Sequence, residues 1–116
     1  MLPLKYRLTK KKDFENVFKK GKGFKQDLLF LKAAKNDLGE NRFGFVVSTK
    51  ISKKATERNK VKRRLREAVW QRIGELKKGT DAVFVALPGI EGKNYDEISL
   101  MVEKLLAKEK KLMDSR

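Results

Sequence analysis

The spacing of apolar residues changes along the chain, and each change predicts an element. Over residues 13–20, Phe14, Val17 and Phe18 recur at i, i+3 and i+4, one face of a helix, and Gly21 is placed to stop it. Residues 27–34 are strongly apolar, and over 42–49 Phe43, Phe45 and Val47 alternate with other residues, the period of a strand with one buried face. Asn36-Asp37-Leu38-Gly39-Glu40-Asn41 between them is turn chemistry, so a hairpin is expected. A long helix should follow over 54–77, with Val61, Leu65, Ala68, Val69 and Leu76 as its apolar stripe and Gly79 as its end. Residues 81–87 are almost continuously apolar and close on Pro88-Gly89, as expected of a strand buried on both faces. Over 96–108, Ile98, Met101, Val102, Leu105 and Leu106 line one side of a final helix, with Lys108, Lys110 and Lys111 suited to its C-terminal end.

The order is helix, two or three strands, helix, strand, helix, without an internal repeat or a linker. This predicts one α+β domain over 1–116, a two-layer α/β sandwich of three helices on a small mixed sheet. Residues 1–12 read as a basic N-terminal tail, either solvated or touching phosphates, and 109–116 as a frayed C-terminus.

Charge changes the picture most. Thirty Lys and Arg face fifteen Asp and Glu, a formal +15 with a pI near 10.1. Such an excess repels itself in the folded state and calls for a polyanionic partner. No apolar run approaches the ~18 residues of a membrane span and no signal peptide opens the chain, so a nucleic acid in the cytoplasm is expected rather than a membrane. The chain has no cysteine and no histidine. That removes disulfides, thiolate nucleophiles, zinc sites and the commonest general base. The acids are scattered, and the adjacent pair Asp96-Glu97 falls where a helix should begin, a position that suits the macrodipole. No catalytic or metal site of protein side chains is expected.

The excess is concentrated. Between Lys50 and Lys78 twelve basic residues face Glu57, Glu67 and Glu75, a net of +9. Advancing about 100° per residue from Arg58 puts Lys62, Arg66, Asn59 and Arg63 at roughly 40°, 80°, 100° and 140°, beside the apolar stripe at roughly 280° to 20°. One side of the helix therefore seats on the sheet while cations face outward. A solvated face normally interleaves both signs, whereas this one stacks like charges at i,i+4 (Arg58 with Lys62, Lys62 with Arg66), which costs helix stability unless an anion occupies it. Arginine supplies a planar fork for phosphate oxygens, and Asn59 offers a donor and an acceptor to a 2′-hydroxyl or a base edge. An RNA-binding surface is the expectation.

Residues 48–67, with Arg58-Asn59 followed by Lys62-Arg63 and Arg66-Glu67, resemble the signature of the bacterial ribonuclease P protein subunit. Asp13-Phe14, Val17-Phe18 and Gly21, then Arg42 and Gly44, then Pro88-Gly89 extend the resemblance along nearly the whole chain. It implies the order α-β-β-β-α-β-α with a left-handed βαβ crossover. It also implies a protein that is itself non-catalytic and serves an endoribonuclease holoenzyme, one that removes the 5′ leader of precursor tRNA with Mg2+ held by the RNA subunit. No cofactor bound by protein side chains, no membrane and no obligate protein partner are implied. By the same resemblance Lys53, Lys54, Arg58, Asn59, Lys62, Arg63 and Arg66 bind the ribonuclease P RNA. The precursor tRNA leader falls to Phe14, Phe18, Phe30 and Lys32. Phe14 and Phe18 can serve as core, as a stacking platform, or one as each. Lys32 stands where relatives often carry an aromatic, so that contact is electrostatic or passes to Phe30. Two other classes share the charge and size: a small structural rRNA-binding protein, and a DNA-binding module, although no short helix and turn precede the long helix.

Overall fold

The computed structural model describes residues 2–75 and 78–114. Its elements are α1 (Lys11–Lys20), β1 (Lys22–Gln26), β2 (Leu29–Lys35), β3 (Arg42–Val46), α2 (Ala55–Trp70), β4 (Thr80–Ala86) and α3 (Tyr95–Asp114), with single 3-10 turns at Leu4–Tyr6, Ile73–Glu75 and Ile90–Gly92. The sheet order is β1-β2-β4-β3; β3 and β4 are parallel, and the other neighbours are antiparallel. The α+β architecture and the element order are as expected.

The long strand β4 organises the sheet. Ala82, Phe84 and Ala86 point into the main core, while Val83 and Val85 belong to a smaller cluster on the opposite face. A strand apolar on both faces is stable only at the centre of a covered sheet. It therefore lies between β2 and β3, and the expected hairpin of those two strands does not form. The turn chemistry is real, since Asn36 Oδ1 accepts the Leu38 N–H at 3.0 Å, but it leads across β4. The hairpin of this sheet joins β1 to β2 through Asp27 and Leu28. Asp27, expected at the start of a strand, takes φ 52°, which its short polar side chain tolerates. The α2 crossover then makes β3 parallel to β4, as connections of that length do.

On the main-core face, Val61, Leu65, Ala68 and Val69 of α2 and Ile98, Met101, Val102, Leu105 and Leu106 of α3 are all buried. Both apolar stripes are the ones the spacing predicts. The α2 helix stops at Trp70, short of the expected 77; residues Gln71 and Arg72 form a turn, and a 3-10 turn containing Gly74 follows. Glycine inside that last stretch costs about 1 kcal/mol relative to alanine as helix, enough to favour the tighter turn. Leu76 and Lys77 lie outside the described residues. By contrast α3 continues past the expected end near Lys108 to Asp114. Its start is a reciprocal cap: Asn94 Oδ1 accepts the Glu97 N–H at 2.9 Å and Glu97 Oε1 accepts the Asn94 N–H at 3.1 Å. The acids there serve the helix.

The opposite face of the sheet is covered in part by α1, whose Val17 is fully buried. Gly21 ends α1 as expected, but with φ −76° it is not a left-handed cap. A Cβ there would stand 2.4 Å from the Val17 carbonyl oxygen and 3.0 Å from that of Ala33, so glycine is needed for close approach. The N-terminal segment wraps the β3 edge. Leu2 is buried in the main core and Leu8 in the smaller cluster, while Arg7 bridges Phe43 in parallel and the Leu8 N–H donates to the Phe43 carbonyl at 2.7 Å. Residues 2–8 are thus packed structure, and they cover an edge that would otherwise offer unpaired backbone groups.

Candidate RNA-binding surface

The ridge on α2 begins in the loop before it. Ser48 Oγ and Ser52 Oγ accept the backbone N–H groups of Lys50 and Lys54 at 3.2 and 3.1 Å, and Ile51 anchors the loop in the core. Arg58 folds back to donate from Nη1 to the Ser52 carbonyl at 2.9 Å, which fixes the first guanidinium of the row. Lys53, Lys54, Asn59 and Arg63 are exposed; Arg58, Lys62 and Arg66 are half-buried where the ridge meets the core. The helical angles give the same trend: Arg58 falls within the span of the apolar stripe, Lys62 and Arg66 come next, and Arg63 stands farthest from it. Among the described residues no carboxylate lies within ion-pair distance of any of these cations. Seven polar side chains expected to act together are brought together. Such a row can hold successive phosphates of a folded polyanion.

The ridge is longer than the sequence indicated. Arg7 comes alongside Arg63 and Arg66, and Arg64 donates from Nη1 to the Lys93 carbonyl at 2.9 Å beside Lys60 and Tyr95. Arg66 is held below its ordinary pKa, first because burial disfavours its charge and then because Arg7 adds a like charge. Arg7 was not singled out because the five cations among residues 1–12 read together as a basic tail, either solvated or touching phosphates, with nothing to place one of them beside α2. The available signal was Leu2 and Leu8 bracketing Tyr6, apolar residues that a free tail has no use for.

The second set lies on the α1 side of the sheet. The Phe14 ring covers Gly44, where a Cβ would stand 2.5 Å from two ring carbons, and Phe30 covers Gly23 in the same way at 2.7 Å. Phe14 therefore packs in the smaller cluster, while Phe18, one turn on, is 40% exposed. Of the readings open for this pair, one ring packed and one open is the arrangement found. Lys32 Nζ donates to the Phe18 carbonyl at 2.9 Å, holding the last turn of α1. At the other end of α1, Arg42 donates to both carboxylate oxygens of Asp81 at 2.9 and 2.7 Å and to Asp13 at 3.1 Å. Asp81 is buried and also accepts from Asn36 Nδ2 at 2.6 Å; its hydrogen bond raises the Arg42 pKa above the ordinary value. Arg42 and Gly44 have a common purpose: one fixes α1 by charge, the other by making room for its ring.

Fold and surface together define a small basic α+β domain with, on one side, a cationic ridge that has no carboxylate partner among the described residues and, on the other, a partly open aromatic face. The family model for Ribonuclease P matches residues 2–110. The ribonuclease P protein component of Syntrophomonas wolfei is 39% identical over 106 residues, covering 87% of this chain and 88% of that protein. The one from Synechocystis is 35% identical over 107 residues, covering 91% and 86%. The RNase P protein of Thermotoga maritima superposes with a TM-score of 0.80 at 30% identity, covering 88% of this chain and 96% of its own. That of Staphylococcus aureus gives 0.83 at 26%, covering 90% and 95%. The chain belongs to the ribonuclease P protein family, whose members are the protein component of an endoribonuclease of tRNA processing.

Proposed function

We propose that this chain binds the catalytic RNA of ribonuclease P through α2 and holds the 5′ leader of precursor tRNA on the α1 side of the sheet. Lys53, Lys54, Arg58, Asn59, Lys62, Arg63 and Arg66 carry the first contact. The observation that supports this most is their lack of carboxylate partners among the described residues of a chain in this family. If about five of them each neutralise one phosphate, log affinity falls against log salt with a slope on the order of −3.5 to −4.5.

On the second surface Phe18 and Phe30 offer ring area to leader bases, and Phe14 and Lys32 form the wall that supports them. Stacking of this kind contributes roughly 1–3 kcal/mol per base and is tolerant of sequence, which suits leaders that differ from one tRNA to the next. The described residues hold no group of three or more Asp and Glu able to share a metal ion. This reading leaves Mg2+ and the bond-breaking step to the RNA subunit. It assigns the chain to the cytoplasm, without an obligate protein partner; no described helix is long and apolar enough to cross a membrane.

Reconstitution tests the proposal. Added to a bacterial ribonuclease P RNA at low magnesium, the protein should restore removal of the 5′ leader. In gel shifts that RNA should win over duplex DNA and unstructured single strands by well over tenfold at moderate salt. Absence of stimulation, or equal affinity for all three nucleic acids, refutes it.

A further inference from the structure

We propose that Arg7 joins Arg63 and Arg66 to form a seat for a single phosphodiester of the bound RNA, at the seam between the N-terminal segment and α2. The inference rests on the reading that α2 docks on RNA, and it extends the contact to an element outside the family-like signature.

A cavity of about 340 Å³ opens at this seam, lined by Leu2, Arg7, Arg63, Arg66 and Glu67. That is the small end of the range of about 300–1,000 Å³ typical of ligand clefts. Three guanidiniums against one carboxylate leave the walls at +2, and Glu67 is itself engaged by Gln71 Nε2 at 2.8 Å. The cavity is thus net cationic with its acid on one wall, an arrangement that suits a monoanion seated on the arginine side.

Arg7 is held in place for this. Its backbone N–H donates to the Leu4 carbonyl at 3.0 Å, its neighbours Leu8 and Tyr6 are fixed on Phe43 and against the Trp70 ring, and its Nε donates to the Leu2 carbonyl at 2.9 Å. With Nε so used, the two terminal nitrogens have no partner among the described residues and can act as a fork. Among the described residues no carboxylate reaches Arg7, Arg63 or Arg66. Two arginines on one cavity wall, with no carboxylate within ion-pair distance of either among the described residues, repel each other; Arg66 is held below its ordinary pKa first by burial and then by Arg7. A buried leucine, a backbone bridge and an aromatic contact maintain that unfavourable pair. A phosphodiester between them would turn the repulsion into two charge-assisted contacts.

The test uses the full chain and a bacterial ribonuclease P RNA. Affinity is measured against salt for the wild type, Arg7→Gln, Arg7→Lys and Lys11→Gln. Arg7→Gln should reduce the slope by about 0.7–0.9, one phosphate's worth. Arg7→Lys should keep the slope, and Lys11→Gln, on the exposed outer face of α1, should change nothing. An unchanged slope in folded Arg7→Gln overturns the proposal. Failure of the wild type to bind RNA would instead sink the underlying reading of α2.

Should Arg7→Gln not fold, inorganic pyrophosphate is titrated into the wild-type protein while its arginine Nε–Hε NMR signals are followed. Arg7 and Arg66 moving together supports the seat, and movement of neither, or of only one, overturns it. Where Arg7→Gln does fold, pyrophosphate binding by the wild type alongside an unchanged RNA slope in the variant would make the site one for a free anion, which refutes the assignment to RNA.

Discussion

The two faces of the molecule use arginine and lysine in opposite ways. On the α1 side the two inward-placed cations have protein partners: Arg42 grips Asp81 and Asp13, and Lys32 holds the end of α1. On α2 the cations have one another for neighbours, and among the described residues Arg58 alone of the family-like set donates to a backbone carbonyl. A partnered charge is fixed and holds the fold. An unpartnered one keeps its donors for something outside the chain, at a cost in self-repulsion. Charge density alone does not make this distinction; the accounting of partners does.

The largest effect expected from breaking the comparison falls on the partnered side. Arg42→Ala leaves the Asp81 carboxylate buried with Asn36 Nδ2 as its one side-chain donor among the described residues. Removing one member of a buried pair costs about 3–5 kcal/mol. Urea unfolding should show a loss of that size. A loss below about 1 kcal/mol would mean that the network contributes little to holding α1.

On the unpartnered side the effect should appear in binding. The double variant Arg58→Ala, Arg63→Ala should lessen the salt slope of RNA-subunit binding by about 1.4–1.8 units. Its unfolding midpoint should move far less than that of Arg42→Ala, because among the described residues the one side-chain hydrogen bond it loses is the partly exposed one to Ser52. An unchanged slope would remove both residues from the interface.

These contrasts also mark what sequence could and could not convey. The ridge was legible because helical geometry is local: once Val61, Leu65 and Val69 face the core, the angles of Arg58, Lys62, Arg63 and Arg66 follow. Both buried stripes and the two-sided burial of β4 were legible for the same reason. Strand pairing was not, because it depends on which strand most needs to be central, and the double apolar face of β4 outweighs the convenience of a hairpin across 36–41. Nor was Arg7, whose place depends on Leu2 and Leu8 finding two separate cores 6 residues apart. Arg42 was visible as a landmark of the family, but its partner Asp81 is 39 residues away and lies in a strand read as apolar.

Phe18→Ala probes the open ring. Phe18 is 40% exposed and lies outside both buried clusters, so its loss should cost far less stability than that of Arg42 while weakening precursor tRNA by about 1 kcal/mol, the lower end of the stacking range. Mature tRNA, which lacks a leader, should be unaffected. Equal losses for both would detach this ring from the leader.

The smallest effect is the sharpest test, because it compares one residue type on the two faces. Lys32 and Lys62 are both half-buried lysines, one donating to the Phe18 carbonyl and the other without a described partner. Lys32→Met should cost stability by about 0.3–1 kcal/mol, the scale of a cation at a helix C-terminus, and leave the salt slope for the RNA subunit untouched. Lys62→Met should do the reverse: no measurable loss of stability, and a slope reduced by about 0.7–0.9. Methionine keeps most of the apolar stem in both places, so lost packing does not confuse the readouts. If the two lysines exchanged roles, or behaved alike, the presence of a protein partner would not separate the charges that hold this fold from those that hold RNA.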